Sequence, residues 1–175
     1  RVIYRHSLFS SGKSFDEAIV RYDISPVEII KLKIKAEDFP VCYVSSLSRA
    51  VETAKMIYNH KFIKTDQLIE VKSAAIFMNN TNLPSILRST MGRMAWFFNY
   101  KKMPETRKAS TTRANKFINQ MLEETGQNTL LITHGFFMHC LKNELRKHGF
   151  KGQLPFFPRH GVVYIFERKN NETLT

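Results

Sequence analysis

Two histidines and two arginines stand where an apolar run ends or a helix begins. His6 follows Val2-Ile3-Tyr4-Arg5, and His134 follows Leu130-Leu131-Ile132-Thr133 and precedes Gly135. A neutral imidazole attacks phosphorus competently near pH 7, because an unperturbed pKa of about 6.5 leaves it mostly deprotonated. It then carries the phosphoryl group covalently and divides one hard displacement into two easier ones. A guanidinium supplies a planar fork for two phosphate oxygens at once. Arg5 adjoins His6, and Arg49 lies in Ser45-Ser46-Leu47-Ser48-Arg49-Ala50-Val51-Glu52-Thr53-Ala54. A helix beginning near Ser48 puts Arg49 in its first turn, where backbone N–H groups and the dipole favour phosphate oxygens. Taken singly, each has a plainer reading: a surface Arg-His pair, an exposed helix-start arginine, a satisfied core histidine. The chemistry rests on the ordered set.

The elements that must position these residues follow from the apolar pattern. Four short β-rich runs, at 1–5, 41–45, 129–133 and 162–166, are separated by helical patterns. That alternation predicts an α/β fold: a three-layer sandwich with a mostly parallel central sheet and helices on both faces. A first helix is expected from Pro26, with Ser25 as N-cap and Glu28 at the capping-box position. A second runs from Ser48 toward Asn59. The clearest stripe is Ala114, Phe117, Ile118, Met121 and Leu122, with Gly126 as a stop. A further helix follows Gly135 through Met138, Leu141 and Leu145 to about His148-Gly149. Residues 62–71 read as a short strand-like excursion. Residues 72–109 show no tidy periodicity and are punctuated by Asn79–Asn82, Pro84 and Pro104. With no repeat or linker, residues 1–175 read as one domain with a central excursion at about 72–109.

Composition narrows the class. The 175 residues are 43% apolar, enough for one core, and no apolar run approaches the roughly 20 residues of a membrane span. No membrane association is expected. Two cysteines, Cys42 and Cys140, sit in apolar patterns and predict buried thiols, a reducing compartment and a cytoplasmic location. The net charge of +12 draws anionic partners generally. Arg88, Arg93, Lys101, Lys102, Arg107, Lys108, Arg113 and Lys116 face one acid, Glu105, in the same stretch. This is either a solvated basic face or one that attracts anions. It lacks the aromatic-rich signature of an RNA-binding module, so nucleic acid is not expected as the partner. His134 and His139 are five residues apart, the wrong spacing for two ligands on one helical face, and no metal site is expected.

The segments Arg5-His6-Ser7, Ser45 to Ala54 and Thr133-His134-Gly135 resemble, in order, the motifs of the histidine phosphatase superfamily, also called phosphoglycerate mutase-like. That family reads RHG near its start, SxxxRAxxTA about forty residues later, and a late HG after a strand. The resemblance implies His6 as the phosphorylated nucleophile, with Arg5, Arg49 and His134 clamping the phosphoryl group beside Gly135. It also implies a carboxylate that protonates the leaving oxygen, and Leu68-Ile69-Glu70 fits its place and form. A small-phosphatase-type member needs no metal or organic cofactor and acts on a small phosphorylated substrate or a phosphoprotein.

The chain departs from the family pattern at Ser7, Leu8 and Phe9, and at Gly12, where an assisting Asn is customary. Ser10 or Ser11 is the nearest hydroxyl to take that part. The Gly-Trp-Glu-Gly-like stretch common after the carboxylate is absent from Val71-Lys72-Ser73-Ala74-Ala75. The expected activity is that of a phosphomonoesterase working through phosphohistidine. Mutase-type transfer is the chemical rival, disfavoured because mutases carry longer central insertions and Glu70 and His134 are only 64 residues apart. A phosphate- or polyanion-binding module with lost catalysis is the rival of another class.

Overall fold

The computed structural model describes residues 9–10, 17, 21, 32, 34–71 and 83–168. Arg5, His6 and the helix expected from Pro26 lie outside the described residues. Of Ser10, only its backbone pairing is described: β1 (Phe9–Ser10) runs antiparallel to β4 (Leu83–Pro84).

A parallel three-stranded sheet organises the rest, in the order β3 (Ile63–Thr65), β2 (Val41–Ser45), β5 (Thr129–Ile132). Cys42 pairs with Leu130, Tyr43 with Leu131 and Val44 with Ile132, while Ser45 pairs with Thr65 on the other side. Side chains alternate across a strand, so this register sorts them into two faces. Cys42, Val44, Leu130 and Ile132 pack with Ala50, Ala54 and Ile57 of α1 (Ser48–Ile57) and with Tyr58. Tyr43, with Val41 and Leu131, meets the opposite layer. That layer holds Ala114, Phe117, Ile118 and Met121 of α3 (Arg107–Glu124) and Phe137, Cys140, Leu141 and Leu145 of α4 (Phe137–Lys147). The fold is therefore α/β, with helices on both faces of a parallel sheet.

Three of the expected helices are present, with modest shifts at their ends. The α3 stripe is buried as its spacing requires, but the helix stops at Glu124 because Thr125 turns to an extended conformation (φ −147°). Gly126 is only the next residue along. At the end of α4, Gly149 adopts φ +83°, its N–H bonds the Arg146 carbonyl, and the Phe150 N–H bonds that of Leu145. This is a left-handed C-terminal cap that glycine supplies without steric cost. Burial raises both cysteine thiols to about 12, which leaves them unreactive packing groups.

Two expectations are corrected. The run 162–166 adds no strand to the parallel sheet. Only Phe166–Glu167 (β7) is extended, and it pairs antiparallel with Lys151–Gly152 (β6) in a separate ladder. Val162, Val163 and Ile165 stay exposed, so no buried face draws them into register. The central excursion, in turn, contains an unforeseen helix, α2 (Ser85–Phe97). Ala95 and Trp96 are buried while Leu87, Met94 and Phe97 face outward, which blurs the period that would have announced it.

Candidate active site

Ser45 ends β2, and its hydroxyl lies 2.7 Å from Nε2 of His134, which follows β5. The two strands are adjacent and parallel, so residues far apart in sequence meet at one sheet edge. Both side chains are buried. Ser45 Oγ also accepts from the Leu47 N–H (3.4 Å) where the chain turns into α1. Arg49 is buried in the first turn of α1, whose N-cap Leu47 brings no capping side chain. An open sheet edge at the carboxyl ends of parallel strands is where such folds place ligands.

Burial, then the positive charges of Arg49, Arg113 and His160, hold the His134 pKa down at about 3. The imidazole is thus neutral at physiological pH. Burial is the main reason for its neutrality, and the cationic field that adds to it also attracts an anion.

Glu70 approaches from the segment after β3. Its Oε1 accepts from the N–H groups of Val71 and Phe137, both at 2.9 Å, and its Oε2 from that of Phe136 at 3.2 Å. Phe136 is the N-cap of α4 and supplies no side-chain cap, so a carboxylate 66 residues away satisfies the orphan donors. Among the described residues, three N–H groups bond the carboxylate, two on Oε1 and one on Oε2. His134 and Glu70 are thereby placed at the two ends of the turn His134-Gly135-Phe136. A Cβ built on Gly135 meets nothing within 4 Å, so the glycine keeps open space at this turn rather than relieving a clash.

The segment bearing Glu70 is itself clamped. Arg113 of α3 donates from one terminal nitrogen to the carbonyls of Gln67 and Ile69, each at 2.9 Å. Its other nitrogens bond Glu105 at 2.8–3.1 Å, and its guanidinium lies 4.0 Å from the centre of the Phe137 ring. The Thr133 hydroxyl donates to the Leu68 carbonyl at 2.7 Å, tying the segment to the end of β5. Sequence reasoning missed Arg113. It matches no motif, and only its place directly before the Ala114 to Leu122 stripe hinted at a fixed position. Glu105 forms a two-oxygen ion pair with Arg113 and so helps hold the clamp in place.

Around these groups lie residues the motifs did not mark. Arg93 of α2 sits with its guanidinium 3.9 Å from the centre of the Phe136 ring; burial lowers its pKa while the charge of Glu70 opposes the shift. Trp96 packs edge-on against Phe136 and donates its indole N–H to Ser110 (3.0 Å). Phe97 is half exposed, with Arg107 over its ring. His139 and His160 stood outside every motif, yet His160 is among the charges felt by His134. Among the described residues no group of three or more His, Cys, Asp or Glu could hold a metal ion. Among them, too, no helix is long and apolar enough to cross a membrane.

Of the sequence-derived residues, Arg49, Glu70, His134 and Gly135 are described and gather at the carboxyl ends of β2 and β5. Arg5, His6 and the side chain of Ser10 lie outside the described set. A search of curated proteins found no significant match. The family model of the histidine phosphatase superfamily (branch 1) matches residues 28–174, a span that holds Arg49, Glu70 and His134 and begins after Arg5 and His6. Since that span is most of the chain and its fold is the one described above, the chain belongs to the histidine phosphatase superfamily.

Proposed function

We propose that the chain is a phosphomonoesterase that works through a covalent phosphohistidine on His6. In this reading the Arg5 and Arg49 guanidinium groups and His134 hold the phosphoryl oxygens, with Gly135 leaving room and Ser10 offering a further hydroxyl. The His6 imidazole attacks phosphorus, and the bond to the leaving oxygen breaks as Glu70 delivers a proton to it. Water then attacks the phosphohistidine, Glu70 takes its proton, and the P–N bond breaks to release phosphate and free imidazole. Each half-reaction returns what the other removed, so the residues named here balance the protons and electrons.

The observation that carries the reading is the pairing of Glu70 with the turn that bears His134. A carboxylate bonded to the backbone of the turn that bears a buried neutral imidazole, in a cationic field, suits proton transfer beside a bound phosphate dianion. An arriving dianion offsets the positive field of Arg49 and Arg113, which rewards anion binding where ligand-free residues repel one another. The reading is tested by turnover of a generic aryl phosphate with vanadate as inhibitor. Vanadate-sensitive hydrolysis supports it, whereas phosphate binding without turnover favours the binding-module reading. Release of inorganic phosphate, rather than its return to another oxygen of the substrate, separates the phosphatase from a mutase. The expected partner is a small phosphorylated substrate or a phosphoprotein, acted on in the cytoplasm without a metal or organic cofactor.

A further inference from the structure

A continuous series of rings leads away from Glu70. The residue whose N–H binds Glu70 Oε2 is Phe136, and its ring meets that of His139 with centroids 6.2 Å apart. His139 meets Phe156 at 6.0 Å, and Phe156 meets Phe157 edge-on at 4.8 Å. The inner end is closed by buried Trp96. The outer end is open: Phe156 and Phe157 are 78% and 80% exposed. Burying a large aromatic side chain is favourable, so a contiguous pair left this exposed marks a surface meant for contact.

The loop that carries this pair is fastened on the Glu70 side. The His139 Nε2 lies 3.0 Å from the Phe156 carbonyl oxygen on the Glu70 side. On the far limb, His160 is close enough to act on the charge state of His134. Between them the Tyr164 hydroxyl accepts from the Arg159 N–H at 2.8 Å, which closes the loop on itself. Through His139 and Phe136, Phe156 and Phe157 are thereby joined to the turn that Glu70 caps.

We infer that Phe156 and Phe157, with Phe136 and His139, form a binding wall for the alcohol part of the substrate, which is accordingly bulky and apolar. The inference rests on the phosphomonoesterase reading, and its direction comes from chemistry. The group that protonates the leaving oxygen must lie within hydrogen-bond reach of it, so the alcohol part leaves from the Glu70 side. The rings begin on that side at Phe136, whose N–H binds Glu70 and whose ring also carries the Arg93 guanidinium. A phosphomonoester with an aryl or alkyl group thus places its charge among the arginines and its apolar body along the rings. Three of these four side chains are phenyl rings, which offer a small, polyhydroxylated sugar phosphate no hydrogen-bond partner.

The test is a homologous series of methyl, butyl, hexyl and octyl phosphate, each below its micelle concentration. kcat/KM should rise with chain length, by roughly two- to fourfold for each methylene that becomes buried. The double variant Phe156→Ala/Phe157→Ala should flatten that slope and lower the octyl-to-methyl ratio by tenfold or more. Octyl phosphate carried in neutral vesicles distinguishes a free ester from one held in a lipid surface. Faster turnover of the free ester is expected, and turnover only on vesicles would overturn the wall as a site for free substrate. A flat chain-length profile overturns the inference, as does a dimer that the double variant converts to monomer, since a second copy would then be what covers the rings. If no member of the series is hydrolysed, it is the phosphatase reading that fails. Binding of the matching alkylphosphonates then decides the inference: affinity rising with chain length supports it, and flat affinity overturns it.

Discussion

The hydroxyl of Ser45 and Nε2 of His134 lie 2.7 Å apart, both buried, at the ends of two neighbouring parallel strands. This contact holds the imidazole where its charge state is set by burial and by Arg49, Arg113 and His160. The folded pKa of about 3 lies below the ordinary 6.5, so the sign of the linkage is fixed. Above pH 6.5 the folded and unfolded chains both hold this imidazole neutral, and its contribution to stability is full. Between 6.5 and 3 the unfolded chain takes up a proton that the folded chain refuses. Stability therefore falls with pH across that window, by up to about 1.4 kcal/mol per unit from this group. Urea denaturation of the wild type and His134→Gln from pH 7 to pH 4 should show a shallower loss in the variant. Equal slopes would contradict the assignment of a buried neutral His134.

Glu70→Gln should not be a silent isostere. The amide oxygen can take the place of Oε1 and keep the Val71 and Phe137 N–H groups satisfied, but its NH2 then faces the Phe136 N–H. One donor at the start of α4 loses its acceptor, which should cost about 1–3 kcal/mol of stability. The kinetic cost should grow with leaving-group pKa, because the amide cannot donate a proton to the departing oxygen. In single turnover, an alkyl phosphate should slow by about 100-fold or more in the phosphorylation step, and an aryl phosphate by much less. Equal losses for both would reduce Glu70 to a helix cap.

Arg113 is argued to act through Glu70 as a positioning residue, since it holds the Gln67 and Ile69 carbonyls on either side of the turn leading to Glu70. Arg113→Met leaves Glu105 without its ion-pair partner and two carbonyls unbonded, and should lower stability by about 3 kcal/mol or more. Arg113→Lys should recover only part of this, because an ammonium cannot span two carbonyls and a carboxylate together. A purely structural arginine would leave the dependence of rate on leaving group unchanged. Here the folded Arg113→Lys variant should reproduce, in weaker form, the selective loss on alkyl phosphates expected of Glu70→Gln.

Arg49→Ala should weaken vanadate and phosphate binding together with the rate, by about 2–5 kcal/mol, as expected for truncating one side of a buried charge contact. Arg49→Lys should restore some affinity but not the bidentate contact. Isothermal titration with inorganic phosphate reads both. Unchanged affinity in Arg49→Ala would move the clamp elsewhere.

Much of this arrangement was legible because it depends on local pattern. The runs 41–45 and 129–133 are continuous and apolar, the mark of strands covered on both faces, and His134 and Arg49 are fixed by following them directly. Glu70 was legible as a residue type in a motif, but its capping of α4 was not, because the partner N–H groups are 66 and 67 residues away. Arg113 and the rings of Phe136, His139 and Phe156 were hidden for the same reason: their meaning lies in contacts between distant segments. The run 162–166 misled because β-branched residues favour a strand only where a sheet face buries them, and Val162, Val163 and Ile165 have none. Helix α2 was missed because its apolar residues are divided between core and surface.

The central claim is a phosphohistidine on His6, and trapping it is the most direct measurement. Acid-labile, base-stable label should be found on the protein after rapid quench of a reaction with labelled phosphomonoester. Rapid base quench should preserve it, mapping should place it on the peptide containing His6, and His6→Ala should carry none while losing turnover by at least about 100-fold. Label that survives acid, label on another residue, or turnover in His6→Ala above about a tenth of wild type would contradict the account.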